Sequence, residues 1–177
     1  MGGAPATNAA RLVTPAEAVA LTAPPPPYVS RGGRKLEAAL ATFGIDLAGR
    51  RVIDAGSSTG GFTDCALQAG AREVVAVDVG RGQLHRRLLL DPRVRVHERT
   101  NVREVDPARL GGPAEAVVAD LSFVSLRVVA DALLGLAEPG AVLVWLVKPQ
   151  FEAERAEVDA GRGVITDVAI WRRTLLD

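Results

Sequence analysis

The sequence is poor in the residues that build metal centres, disulfide frameworks and membrane spans. Its single cysteine, Cys65, excludes a disulfide within the chain, and with only His85 and His97 beside it the ligands for a Cys/His zinc site are missing. No metal is therefore expected. The longest unbroken apolar run, Ala141 to Val147, falls far short of the roughly 20 residues a spanning helix needs. No charged-then-apolar signal segment opens the chain, so a cytoplasmic protein without membrane contact is the expectation. Aromatic residues are only 4%, which leaves few platforms for stacking single-stranded bases. Charge of one sign is lacking too. With 21 basic against 21 acidic residues, binding nucleic acid by bulk positive charge is excluded, but a local basic patch is not.

Lysine is nearly absent as well. Nineteen of the 21 basic residues are arginine, and the only lysines are Lys35 and Lys148. Arginine keeps a charge but cannot supply an amine of tunable proton affinity, so a lysine that survives in such a background points to a use for that amine. What is present is apolar material: 48% of 177 residues, enough for one domain with a real core.

Residues 1–27 read as a leader rich in Gly, Ala and Pro, with a stiff polyproline stretch at Pro24 to Pro27. Arg11-Leu-Val and Val19-Ala-Leu have the look of short strand pieces. From Gly33 to Phe43, Leu36, Ala39, Leu40 and Phe43 recur at helical spacing. The chain then alternates. Strands are expected at Val52-Ile53, short and buried, at Val74–Val77, Val94–His97 and Ala116–Ala119, and at Ala141–Val147, apolar throughout. Helices are expected over Gly60–Gln68, around Gln83 to Leu90, and over Ser125–Leu136, the last stopped by Pro139-Gly140. Strands without polar alternation, separated by helices, imply a parallel sheet covered on both faces. Right-handed crossovers make this an α/β, doubly wound, Rossmann-like sheet with its ligand at the carboxyl ends of the strands. Phe151 to Gly163 is charged and Gly-containing and reads as a loop, and Thr166-Asp167 as the start of a helix.

The loop after the first strand, Asp54-Ala-Gly56-Ser57-Ser58-Thr-Gly60-Gly61-Phe62-Thr63, is the most informative segment. Its glycines let the backbone turn sharply and let a ligand approach closely. A dinucleotide-binding loop reads GxGxxG; here three residues separate Gly56 from Gly60, and Asp54 stands where a pyrophosphate would be repelled. S-adenosylmethionine carries an ammonium and a sulfonium and no phosphate, so the same carboxylate suits it. A tight turn capped by Asp54 is the plainer alternative. Asp78, closing the second strand, is placed to accept ribose hydroxyls, or to cap a helix. Asn101 and Asp120, after the third and fourth strands, are candidates for cofactor contact or for capping.

Six segments occur in order: Ser30-Arg-Gly-Gly-Arg-Lys35-Leu-Glu, Asp54 to Thr63, Asp78-Val-Gly-Arg-Gly-Gln83-Leu, Glu98-Arg-Thr-Asn101, Ala119-Asp120-Leu-Ser-Phe123 and Leu146-Val-Lys148-Pro-Gln-Phe-Glu152. Together they closely resemble the TlyA (hemolysin A) family within the FtsJ-like ribose methyltransferases, over about residues 28 to 170. The resemblance implies a methyltransferase domain over residues 28–177, with residues 1–23 similar to the tail of an S4-type RNA-binding domain. It implies S-adenosylmethionine as cofactor, ribosomal RNA or ribosomal subunits as partner, and ribose 2′-hydroxyls, typically of cytidines, as methyl acceptors. It also implies a Lys-Asp-Lys-Glu tetrad, matched by Lys35, Asp120 and Lys148. The glutamate and the family's last two strands are expected beyond Asp177; neither Glu152 nor Glu157 matches that motif.

A ribose hydroxyl needs its proton removed as it attacks, and a lysine can take it only when neutral, a form favoured by a second cation nearby. Lys148 is therefore the candidate base or hydroxyl-orienting group, Asp120 its positioning partner, and Lys35 a second cation or phosphate contact. Strand-end, helix-terminal and capping roles are the plain alternatives for these three. Arg31, Arg34 and Lys35 form the candidate RNA contact, with Arg81, Arg86 and Arg87 a weaker cluster, and Phe123 and Phe151 able to flank a base. Two other classes compete. One is an NAD(P)-binding oxidoreductase, disfavoured by the loop spacing and Asp54. The other is a non-catalytic RNA-binding module or pore-forming haemolysin; the lack of a membrane-length or Lys-rich amphipathic segment disfavours the pore.

Overall fold

The structure is a computed structural model that describes residue 8, residues 10–18, residue 20 and residues 25–176. Five strands, β1 (Arg51–Ala55), β2 (Glu73–Val77), β3 (Val94–His97), β4 (Ala114–Ala119) and β5 (Ala137–Trp145), form one sheet in the order β3-β2-β1-β4-β5. Every pairing is parallel. The expected doubly wound α/β sheet is what the chain builds. Its strand order reverses between β1 and β4, which opens a crevice beyond their carboxyl ends.

The central strands are buried from both sides, so alternate residues serve two cores. Val52, Val74, Ala76, Ala116 and Val118 face α1 (Gly32–Phe43) and α2 (Gly61–Gln68), where Leu36, Phe62 and Leu67 close the layer. Ile53, Ala55, Val75, Val117 and Ala119 face α4 (Leu126–Gly135), packed through Val129 and Leu133. Glycines at the α1–α2 contact bring the two helix starts together. A Cβ on Gly61 would lie 2.8 Å from the Gly33 backbone nitrogen, and one on Gly33 would lie 2.3 Å from the Tyr28 ring. That close approach carries the first turn of α1, with Lys35, over the end of β4.

Several expectations need correction. Arg11–Val13 forms no strand and is exposed, while Val19 and Leu21, and Pro24 of the polyproline stretch, lie outside the described residues. Phe43, counted in the apolar stripe of α1, is 73% exposed. The helix expected around Gln83 to Leu90 shrinks to α3 (Arg86–Leu89), because residues 78–84 are held as a loop in which Glu98 accepts the Gly82 N–H at 2.6 Å. Pro139-Gly140 does not precede β5 but lies inside it. Ala114 pairs with Ala137 and Ala116 with Val142, so β5 bulges around Pro139, which takes it out of the ladder with β4. The segment read as a loop holds α5 (Pro149–Glu152) and α6 (Arg155–Ala160), the latter started by Glu157 accepting the Glu154 N–H. The helix expected after Thr166-Asp167 is α7 (Val168–Leu176), with Asp167 accepting the Ala169 N–H.

Candidate active site

Two adjoining hollows meet at the end of β4, of about 520 and 490 Å³, and they share Gly56, Ser58, Asp120 and Ser122. Lys35 and Lys148 line the first, whereas Asp78, Asn101 and Phe123 line the second.

In the first hollow both lysines grip one carboxylate. Lys35 Nζ donates to Asp120 Oδ2 at 2.9 Å, and Lys148 Nζ lies 2.7 Å from Oδ1. Lys148 is the deeper of the two, with its side chain 16% exposed against 47% for Lys35. Burial pushes the Asp120 carboxyl up, but the ammonium groups of Lys148 and Lys35 outweigh it and hold the carboxyl below its usual range. Lys148 Nζ also donates to Ser122 Oγ at 2.7 Å and lies 5.8 Å from the centre of the Phe151 ring, within cation–π reach. The two lysines that composition singled out thus converge from opposite ends of the chain.

The segment bearing Lys148 is tied down by a residue that sequence reasoning set aside. Glu152, its side chain 3% exposed, accepts the Ser125 hydroxyl at 2.5 Å and the Leu126 N–H at 2.7 Å, capping α4 from α5. Between Asp120 and this latch, Phe123 adopts a left-handed backbone (φ 65°) and leaves its ring 92% exposed, 5.5 Å from that of Phe151. A bulky residue in that conformation is strained, and it lies two residues before the latched Ser125.

The glycine-rich loop divides its labour differently from its sequence-based reading. Gly56, Ser57, Ser58, Gly61 and Phe62 line the first hollow, but Gly60 lines neither. At φ 95° its missing Cβ makes room for Leu84 and Leu88. Asp54 does not reach the hollows either. It is fully buried beneath α2, where the Thr63 hydroxyl donates to Oδ2 at 2.6 Å and Oδ1 has no hydrogen-bond partner. Burial pushes its carboxyl up to about 7, against the pull of the Thr63 hydroxyl and amide. A carboxylate buried beneath the start of α2 stands close to where a pyrophosphate would need its donors, which weighs further against a dinucleotide.

Asp78 accepts from the Ser58 N–H and the Gly80 N–H, both at 2.7 Å, and each oxygen keeps a lone pair for a ligand hydroxyl. The Asn101 amide donates to Glu104 at 2.7 Å and its oxygen accepts the Arg103 N–H, so it both lines the second hollow and caps a turn. Arg31 lines the first hollow; Arg34 is exposed outside it. In the weaker basic cluster Arg87 is committed to Asp64 at 2.5 Å, and Arg81 and Arg86 point to no hollow site. Ser122 and Glu152 are the residues that sequence reasoning missed. Both sit inside motifs already quoted, but nothing in residue type or spacing gives them a partner. Among the described residues no cluster of three or more His, Cys, Asp or Glu is placed to hold a metal, and no helix is long and apolar enough to cross a membrane.

Comparison with known proteins gives the chain its family. Over 149 residues the chain is 53% identical to the 16S/23S rRNA (cytidine-2'-O)-methyltransferase TlyA of Mycobacterium tuberculosis, covering 84% of this chain and 55% of that protein. A solved structure of a candidate hemolysin from Streptococcus thermophilus is 45% identical, with a TM-score of 0.80 over 84% of this chain and 54% of that one. An S-adenosylmethionine-dependent methyltransferase from Mesorhizobium loti, only 18% identical, shares the fold at a TM-score of 0.52, over 66% of this chain and 55% of that one. The chain spans about half the length of the curated relatives it matches. Residues 28–174 match the FtsJ-like methyltransferase family, and the chain belongs to it.

Proposed function

We propose that the protein transfers a methyl group from S-adenosylmethionine to a ribose 2′-hydroxyl of ribosomal RNA, with cytidine as the acceptor nucleoside. The observation that carries this reading is the Lys35–Asp120–Lys148 cluster at the switch point of the sheet, where the two hollows meet.

The residues present fit that cofactor. Asp78 has lone pairs for ribose hydroxyls, the turn at Gly56 and Ser58 admits a ligand to the backbone, and Asn101 borders the second hollow. Asp54 lies beneath the loop and does not touch its contents. Bound there, S-adenosylmethionine supplies an electrophilic methyl group carried on a sulfonium.

The chain's own residues supply acceptance and placement. Lys148, neutral at the moment of reaction, takes the proton of the ribose O2′ onto Nζ as that oxygen forms its new bond to carbon. Asp120 keeps the two lysines together, and Lys35 adds positive charge where a backbone phosphate passes. Arg31 at the rim and Arg34 on the outer face of α1 extend this patch, which is how a chain of zero net charge holds RNA locally. The exposed Phe123 ring and the neighbouring Phe151 give a base a surface to stack on, which scarce aromatics alone did not promise.

The test is twofold. Calorimetry should detect S-adenosylmethionine, weakened in Asp78→Ala, and no binding of NADH. Methyl label from S-adenosylmethionine should then appear on ribose in 16S or 23S rRNA, and Lys148→Ala should abolish it. NADH binding, or no methyl transfer by a protein that holds S-adenosylmethionine, would overturn the reading.

A further inference from the structure

Lys148 touches Asp120 and Ser122 in different ways, and the difference gives them different tasks. Asp120 Oδ1 lies 2.7 Å from Nζ in a poorly aligned contact, so that pairing supplies charge more than direction. Ser122 Oγ, also at 2.7 Å, accepts an aligned N–H from the same nitrogen. Lys35, by contrast, donates an aligned bond to Asp120 Oδ2. Charge attraction depends on distance alone, whereas a hydrogen bond weakens steeply once bent. The carboxylate is therefore oriented by Lys35, and the Lys148 amine by the serine.

The distinction matters most in the reacting form. A neutral amine has no charge for Asp120 to attract, yet it keeps an N–H for Ser122, and committing that N–H fixes where its lone pair points. Ser122 borders both hollows, so its hydroxyl stands where they meet. Its backbone is held on one side by β4 and on the other by the Phe123 turn and the Glu152 latch.

We propose that Ser122 is the positioning residue that aims Nζ of Lys148 at the ribose 2′-hydroxyl, while Asp120 retains the lysine by charge. This rests on the function proposed above. The proton passes from O2′ to Nζ, and Ser122 neither gains nor loses one.

Ser122→Ala and Ser122→Thr test it, both checked for native folding by circular dichroism. Ser122→Ala is expected to lower kcat about tenfold, as expected for one lost hydrogen bond, with KM for RNA and for S-adenosylmethionine unchanged. Ser122→Thr keeps the hydroxyl and recovers most of the rate. A second readout needs no turnover. Because lysine occurs at only two positions, protein carrying 13C at lysine Cε gives two side-chain signals, told apart with Lys35→Arg. Ser122→Ala should move the Lys148 signal and leave the Lys35 signal in place. Wild-type kcat in Ser122→Ala, an unmoved Lys148 signal, or equal losses in the Ala and Thr variants would overturn the proposal. A wild-type protein that transfers no methyl group overturns the function itself, and Ser122 then has no reaction to serve.

Discussion

Glu152 and Ser125 meet at 2.5 Å although they belong to different helices, and their contact fixes α5 to the start of α4. Removing the carboxylate in Glu152→Ala strands two donors in a nearly closed site, at a cost of about 1–3 kcal/mol. Thermal unfolding of Glu152→Ala should show a clear drop, with Glu152→Gln, which still accepts a hydrogen bond, falling between. Methyl transfer by Glu152→Ala should also slow below the unfolding range, because Lys148 sits on the released segment.

Asp120→Asn leaves two ammonium groups facing each other without a counter-charge. Single-turnover methyl transfer is expected to fall by roughly 10²-fold or more, in the range for loss of an acid–base arrangement. The same variant reports on stability. Lys148 and Lys35 hold the folded-state carboxyl below its unfolded value, so the stabilisation is present above about pH 4 and disappears as pH falls below it. The stability gap between wild type and Asp120→Asn should therefore narrow in acid.

Asp54 carries the opposite sign. Its folded carboxyl is raised to about 7 by burial, so the folded chain holds this proton more tightly than the unfolded chain. Stability from this group is greatest below about pH 4 and is lost as pH rises through about 7, at no more than about 1.4 kcal/mol per pH unit. Chemical denaturation across that range should show wild type losing ground steadily to Asp54→Asn. Parallel curves for the two proteins would mean that the carboxyl is not shifted.

Phe123→Gly separates strain from stacking. The ring is almost fully exposed and its backbone left-handed, so glycine relieves strain and gives up little burial. Thermal stability should hold or rise, while RNA affinity weakens by about 1–3 kcal/mol if a base stacks on that ring. Filter binding with the ribosomal RNA substrate measures it; unchanged affinity would assign the exposed ring another purpose.

The three central strands, β1, β2 and β4, were legible because each carries a short apolar run buried on both faces, and β3 and β5 followed from the alternation of strand and helix that flanks them. Elements whose definition depends on remote partners were not. The Gln83–Leu90 segment has helical composition, but Glu98 holds its leading half as a loop. Pro139 reads as a stop, yet β5 absorbs it as a bulge. Residues 154–160 look like a polar loop because the reciprocal Glu154 and Glu157 capping that starts α6 resembles surface charge. The site shows the same division. Lys35, Asp120 and Lys148 stood out by rarity and motif, whereas Ser122 and Glu152 acquire meaning only from the groups 26 and 27 residues away that they contact. Asp54 was read by its neighbours in sequence, and the direction of its side chain, inward beneath α2, is set by the face of β1 on which it falls.

Lys35 precedes the first strand, Asp120 follows the fourth and Lys148 follows the fifth, the first pair lying 85 positions apart in the chain. Such distant contacts form late, once the entropy of closing the intervening loops has been met. The net charge of this spot is therefore a product of the tertiary fold: one carboxylate against two ammonium groups, with Arg31 lining the same hollow, sums to positive only where the start of α1 and the ends of β4 and β5 have been brought together.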